Sequence, residues 1–258
     1  MNRWIWLIVT LLLLGIRFIP APEVNLQRFK HPWESFDSSL AERITSMNLL
    51  QREIGQRALQ ANISEHQLGY YHIAASVLRD RFAHGYSYYG WHDNWIACLS
   101  ARLLNKDWNA IVLPDDILKH PTAACSQQEL VLIELFRQDG VPYRKVLFNH
   151  HFAVEARIDS TWYFFDTDLE PHISLNTRLS LQEIMNRNLL PQLYQGRIPE
   201  NQLDSLLGKP QYGNTNEYPA IRARRFQLIS RFLSKWLWLL PLVLFLYSIK
   251  KPRMNTGL

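Results

Sequence analysis

The chain is poor in cysteine. Its 258 residues include only Cys98 and Cys125, with no Cys-x-x-Cys pair. Two cysteines cannot build a disulfide scaffold, and a single bridge would say little about compartment. The nine histidines show neither His-Glu-x-x-His nor a zinc-type Cys-His spacing, so no metal site is expected. An acidic loop of the EF-hand type is also missing, and no cofactor is expected. Repeats and low-complexity tracts are absent. Basic residues interleaved with aromatics, the footprint of a nucleic-acid surface, are absent too, so no nucleic acid is expected as a partner.

Apolar residues make up 47% of the chain and charged residues 20%, which suits a folded protein. The formal net charge of +5 is unevenly placed. Arg222, Arg224, Arg225, Arg231 and Lys235 precede the last apolar run, and Lys250, Lys251 and Arg253 follow it. Basic residues beside an apolar segment usually meet lipid headgroups.

Both ends carry such segments. Residues 4 to 19 form an apolar run interrupted only by Arg17, short of the roughly 20 residues that span a bilayer without strain. A cleaved signal peptide is the rival reading, but RFIPAPEV offers no clean small-x-small cleavage site. An uncleaved anchor over 1–20 is therefore expected. Residues 232–249 form a second span, with Trp and Tyr near its edges and a basic tail over 250–258. Two spans would place both termini on one side and the intervening domain on the other. The signal-anchor-like start points to an extracytoplasmic domain at the membrane.

Between the spans, a polar linker and helical segment occupy 21–63. Ser64 is placed to cap a helix running to about Phe82, and Asp93 to cap one running to Leu104. Cys98 sits inside the latter among apolar neighbours and reads as a small core residue. Residues 124 to 140 (ACSQQELVLIELFRQDG) predict a helix apolar on nearly every side, closed by Gly140 and Pro142. Residues 143 to 148 predict a strand, and 151 to 166 a hairpin turning at Asp159-Ser160. Weaker helices follow over 180–190 and 199–207, within a C-terminal helical and loop extension, 173–231. Helices followed by an antiparallel sheet give an α+β fold class.

Cys125 falls in the first turn of the buried helix, where the helix dipole and unpaired N–H groups favour a thiolate and can serve an oxyanion. In the hairpin, an even turn pairs Arg157 with Trp162 and would pair Ala153 with Asp166. His151 then lies diagonal to Asp166 on one face, about 7 Å between backbones. A carboxylate there can fix the imidazole tautomer, and the imidazole can take the thiol proton and return it to a leaving amine. A surface salt bridge between His151 and Asp166, and a merely packed Cys125, would fit the same residues.

These residues resemble the transglutaminase-like superfamily, whose fold is related to papain-like cysteine peptidases. Cys125 opens the helix and Gly140-Val141-Pro142-Tyr143-Arg144 is similar to the family's Gly-Ile-Pro-x-Arg turn. His151-Phe152-Ala153-Val154-Glu155 and Trp162-Tyr163-Phe164-Phe165-Asp166 are similar to its histidine and aspartate strands, over about 42 residues in order. Ala124 stands where glycine is common, and the aromatic of the histidine strand has moved to Phe152. The resemblance implies a papain-like core over 64–172, with the cysteine helix packed on an antiparallel sheet. It also implies Cys125 as nucleophile, His151 as base and acid, and Asp166 as its orienting carboxylate. His150 and Asp168 are the rivals for the last two roles. Tyr88, Trp91 and Trp108 are candidates for a side-chain oxyanion donor.

The expected function is a membrane-anchored thiol hydrolase or acyltransferase acting on an amide of a peptide or protein substrate through a thioester. The alternative is an inactive module of the same fold that binds a peptide or an envelope partner.

Overall fold

The computed structural model describes residues 3–20, 34–169, 173–175 and 178–250. Lys251 and Arg253, named above behind the last apolar run, lie outside them. The chain mixes helix with an antiparallel sheet, as an α+β class requires.

Its contacts divide it into two units. The first holds the described parts of Met1–Val24, Tyr88–Ala110 and Arg222–Leu258; the second holds those of Asn25–Ser87 and Ile111–Ile221.

In the first unit, helix Arg3–Ile16 packs on helix Leu239–Lys250, with the Trp4 and Phe245 ring centroids 6.0 Å apart. At 14 residues Arg3–Ile16 is only ~21 Å long. Helices Ile221–Trp236 and Leu239–Lys250 run on with a short break, as expected where Pro241 removes a donor and crowds the carbonyl four residues back. Together, Ile221–Lys250 gives 30 residues, among the described residues the one helix long and apolar enough to cross a membrane. Before the break, Gln227, Ser230 and Ser234 form a buried polar row at helical spacing. Asn94 donates to Ser230 Oγ at 2.9 Å and accepts from Ser234 Oγ at 3.0 Å. Asn94 leaves helical geometry to do so and kinks the helix Trp91–Leu103. Cys98 is buried there and its thiol donates to the Tyr89 carbonyl at 3.0 Å, so the core reading of this cysteine stands.

The second unit is built around four antiparallel strands in the order β5-β4-β3-β6, where β3 is Tyr143–Leu147, β4 Phe152–Ile158, β5 Thr161–Phe165 and β6 Gln211–Tyr212. Two earlier short strands, β1 (Ala83–His84) and β2 (Thr122–Ala123), pair in parallel. Helix Cys125–Gln138 packs on β4 and β3, with Phe136 against Phe165 at 5.5 Å. Every residue from Gln127 to Phe136 is buried, including Glu134, which pairs with Arg137. Gly140 closes the helix at φ +70°, and the Val141 N–H reaches back to the Phe136 carbonyl at 2.9 Å. A positive φ at this position is why glycine ends the helix. Alternate residues of the sheet, Val146, Ala153 and Phe164, pack under a layer of Leu181, Ile184, Tyr194, Leu203 and Leu207. Helix Leu181–Asn186 in that layer is capped by Ser180, whose Oγ accepts from Glu183 N.

Two helix starts differ from expectation. The helix expected behind an Asp93 cap begins at Trp91 with Gly90 as its N-cap, and Asp93 lies inside its first turn, its carboxylate accepting from the Gly90 N–H at 3.2 Å. The helix that ends at Arg81 begins at Leu68, and its N-cap is Gln67 rather than Ser64. The chain before it turns through positive φ at Asn62 and His66. Ile63 folds back, its N–H on the Ala58 carbonyl at 2.9 Å, and its side chain lies where a Cβ on Gly69 would collide. Packing of Ile63 against the first turn outweighs a local serine cap.

Candidate active site

The turn of the β4–β5 hairpin decides the site. Asp159 and Ser160 both adopt positive φ, 48° and 68°, as a two-residue primed turn requires. The register then pairs Arg157 with Trp162, as the even spacing predicts. His151 enters just ahead of β4, and its Nε2 lies 2.8 Å from Asp166 Oδ2.

The two histidines divide the work. Asn149-His150 connects β3 to β4, with the Phe148 N–H on the His151 carbonyl at 2.9 Å. His150 takes the left-handed position, φ +66°, and is exposed. Histidine, with asparagine and aspartate, tolerates that region better than most residues. His151 is thereby turned inward, with 4% of its side chain exposed against 0% for Asp166. A surface salt bridge is excluded by that burial.

Asp166 accepts three hydrogen bonds: from His151, from the Leu169 N–H at 3.1 Å and from the Tyr194 hydroxyl at 2.8 Å. Burial alone would raise its carboxyl, but His151 and these donors hold it below the ordinary carboxylate value. Burial alone would likewise push His151 down. The charge and hydrogen bond of Asp166, with a smaller push from Cys125, set it well above an ordinary histidine. Both directions favour an imidazolium against a carboxylate.

Cys125 is the first residue of its helix and is half-buried. Its Sγ, a ring nitrogen of His151 and a carboxylate oxygen of Asp168 all lie within 4.8 Å of one another. The helix begins here because Gln127 satisfies the turn around it. Its Oε1 accepts from Ala124 N at 3.3 Å and Ser87 N at 2.8 Å, and its amide donates to the Ser87 and Ile111 carbonyls. The backbone N–H of Cys125 belongs to the open first turn and is suited to an oxyanion. Of the side-chain donors suggested by sequence, Trp108 packs on Phe226 at 4.5 Å and Trp91 sits beneath Arg102 at 5.0 Å, both within the first unit. Tyr88 also belongs to that unit.

Four participants escaped sequence reasoning. His84, on β1, has Nδ1 2.8 Å from Asp168 Oδ1, and Gln128 donates to the same oxygen at 3.0 Å. The hydrogen bond that His84 gives to Asp168 raises its pKa against the opposing effect of burial. Glu129, one turn beyond Cys125, is fully buried and accepts from Thr167 N at 2.7 Å and Thr167 Oγ1 at 2.9 Å. Burial and the nearby Asp166 charge push its carboxyl well above the usual range, which favours the neutral form. Tyr194 is the fourth, closing over Asp166. The sequence signal for Gln128 and Glu129 was polarity: with Gln127 they stand ahead of the apolar run Leu130 to Ile133.

No protein-family model, no curated protein and no solved structure was found to match the chain.

Proposed function

We propose that the protein is a cysteine-dependent hydrolase or acyltransferase with a transglutaminase-like, papain-related core, acting on an amide of a peptide or protein. The observation that carries this reading is the buried 2.8 Å contact between His151 and Asp166 beside a cysteine at a helix start. Asp166 holds Nε2, which leaves Nδ1 of His151 as the nitrogen for proton transfer with the thiol. The Cys125 thiolate attacks the carbonyl carbon, and the C–O π pair moves to oxygen, facing the open N–H groups of the helix. Collapse breaks the C–N bond, and His151 delivers its proton to the leaving amine. The thioester then passes its acyl group to water or to an amine, with His151 removing the incoming proton and the thiolate leaving.

The apolar helix Ile221–Lys250 supports attachment of this domain to a membrane; the extracytoplasmic side of the reading rests on the signal-anchor-like start of the sequence. A non-catalytic peptide-binding module is the rival function. The full chain, purified in detergent, separates the two when treated with p-nitrophenyl acetate at neutral pH. An enzyme releases a burst of one nitrophenolate per chain and carries acetyl on Cys125; Cys125→Ala gives no burst while keeping its circular dichroism. A wild-type burst that Cys125→Ala retains, or no burst at all, would sink the enzyme reading.

A further inference from the structure

Asp168 has no role in the reaction just described, yet it puts a carboxylate oxygen within 4.8 Å of both the nucleophile and its base. An anion beside a thiolate opposes the thiolate unless something of opposite charge joins them. Three unlike donors converge here: a sulfur, an imidazole nitrogen and a carboxylate oxygen. We propose that Cys125, His151 and Asp168 form a binding site for one thiophilic divalent cation, with Zn²⁺ as the type, and that occupancy silences the nucleophile. The silencing rests on the thiol-enzyme reading; the binding does not.

Zinc bonds to sulfur, nitrogen and oxygen of about 2.0–2.3 Å place neighbouring ligand atoms roughly 3.3–3.7 Å apart around a tetrahedron. Donors already gathered within 4.8 Å need only small side-chain adjustments to reach that spacing. A thiolate with an imidazole selects zinc over magnesium or calcium, which favour all-oxygen sites.

The surroundings supply the stronger argument. Metal-bound histidines give their other ring nitrogen to a carboxylate, and metal-bound carboxylates are themselves hydrogen-bonded. His151 gives Nε2 to Asp166, which leaves Nδ1 for an ion. Asp168 receives both His84 and Gln128 on Oδ1, which places Oδ2 outside those two bonds. Gln128 Oε1, by contrast, is buried with no hydrogen-bond partner, in a side chain lining a small cavity with Glu34, His84 and Asp168. This polar void adjoins the proposed ligand. Three protein ligands leave a fourth corner for water, and Cys125 is exposed enough for an ion to enter.

The test uses the full chain in detergent, stripped with a chelator and titrated with Zn²⁺ against a chromophoric zinc indicator. One ion per chain is expected. Cys125→Ser and Asp168→Asn should each weaken binding at least tenfold, and Asp168→Glu should retain most of it. Co²⁺ in place of zinc should give a sulfur-to-cobalt charge-transfer band that Cys125→Ser abolishes. Zinc should also slow alkylation of wild-type Cys125 by iodoacetamide, with recovery on adding chelator. Absence of stoichiometric binding, or an affinity that neither Cys125→Ser nor Asp168→Asn changes in folded protein, overturns the proposal. A metal-free protein that shows the acetate burst but does not bind zinc refutes the cation site alone. One that binds zinc at Cys125 but shows no burst supports the site and refutes the enzyme reading alone.

Discussion

Two histidine–aspartate pairs of equal length meet beside one cysteine. His151–Asp166 and His84–Asp168 each close at 2.8 Å, and in both the histidine is shifted upward by its carboxylate. Their surroundings differ. Asp166 is sealed beneath Tyr194 and holds one imidazole, with the Leu169 N–H and the Tyr194 hydroxyl as its other donors. Asp168 is also buried, but it divides itself between His84 and the Gln128 amide, and 37% of the His84 side chain is open. The same contact is thus closed to solvent in one place and open to it in the other. On the proposed thiol mechanism, the shell around each pair is what would separate proton transfer from support.

That contrast can be broken from either side. The largest effect is expected from His151→Asn, which should slow acetylation of Cys125 by ~10²–10⁴-fold, whereas His84→Asn should slow it by less than about tenfold and instead weaken zinc binding ~10–100-fold. Burst kinetics and zinc titration on the two variants decide the matter, and equal losses of acetylation would erase the distinction. Next comes the floor beneath the sealed pair. Glu129→Ala leaves the buried Thr167 N–H and hydroxyl without their acceptor and should cost about 1–3 kcal/mol in thermal unfolding. Glu129→Gln keeps an acceptor and should cost less than about 1 kcal/mol. Tyr194→Phe removes one of three donors to Asp166 and should cost about 0.5–1.5 kcal/mol.

The smallest effect concerns pH. His84 is raised in the folded chain, so its contribution is fully present below the ordinary histidine value of 6.5 and fades as pH rises through its folded value. Its partial exposure keeps the contribution small. His72 runs the other way. Burial, together with Arg178 and Arg79, lowers it to about 4, so stability is lost as pH falls from 6.5 towards 4. Unfolding midpoints across pH 4–9 should show His84→Asn flattening only the alkaline side and His72→Asn only the acidic side. If both variants kept the wild-type curve, neither histidine would be coupled to folding as described.

Much of the central stretch was legible because its signals are local. The apolar run 130–136 and Gly140 define a buried helix, and the even Asp159-Ser160 turn fixes which residues share a face with Asp166. His151 and Asp166 could therefore be paired by counting. His84 could not: it reaches Asp168 from a two-residue strand that exists only by pairing with Thr122-Ala123. No periodicity can announce so short an element. Gln128 and Glu129 were visible as polar residues on a buried helix, but Thr167 and Asp168 become their partners only once that helix lies on the sheet. The same reason hid the cation cluster, since Cys125, His151 and Asp168 share a place and not a sequence spacing. Ser64 fails in the opposite sense, as a clear local cap signal displaced by the return of Ile63 onto Gly69.

Glu129 has a use beyond holding Thr167. A protonated carboxyl absorbs in the infrared apart from ionised carboxylates and amides, and its carbonyl stretch shifts with the local electric field. Seated beside Asp166 and His151 and kept from water, Glu129 in the neutral form that burial favours would be a native vibrational reporter of the charge next to it. Acylation of Cys125 or arrival of a cation would move its band, so the state of the site can be watched without attaching a label.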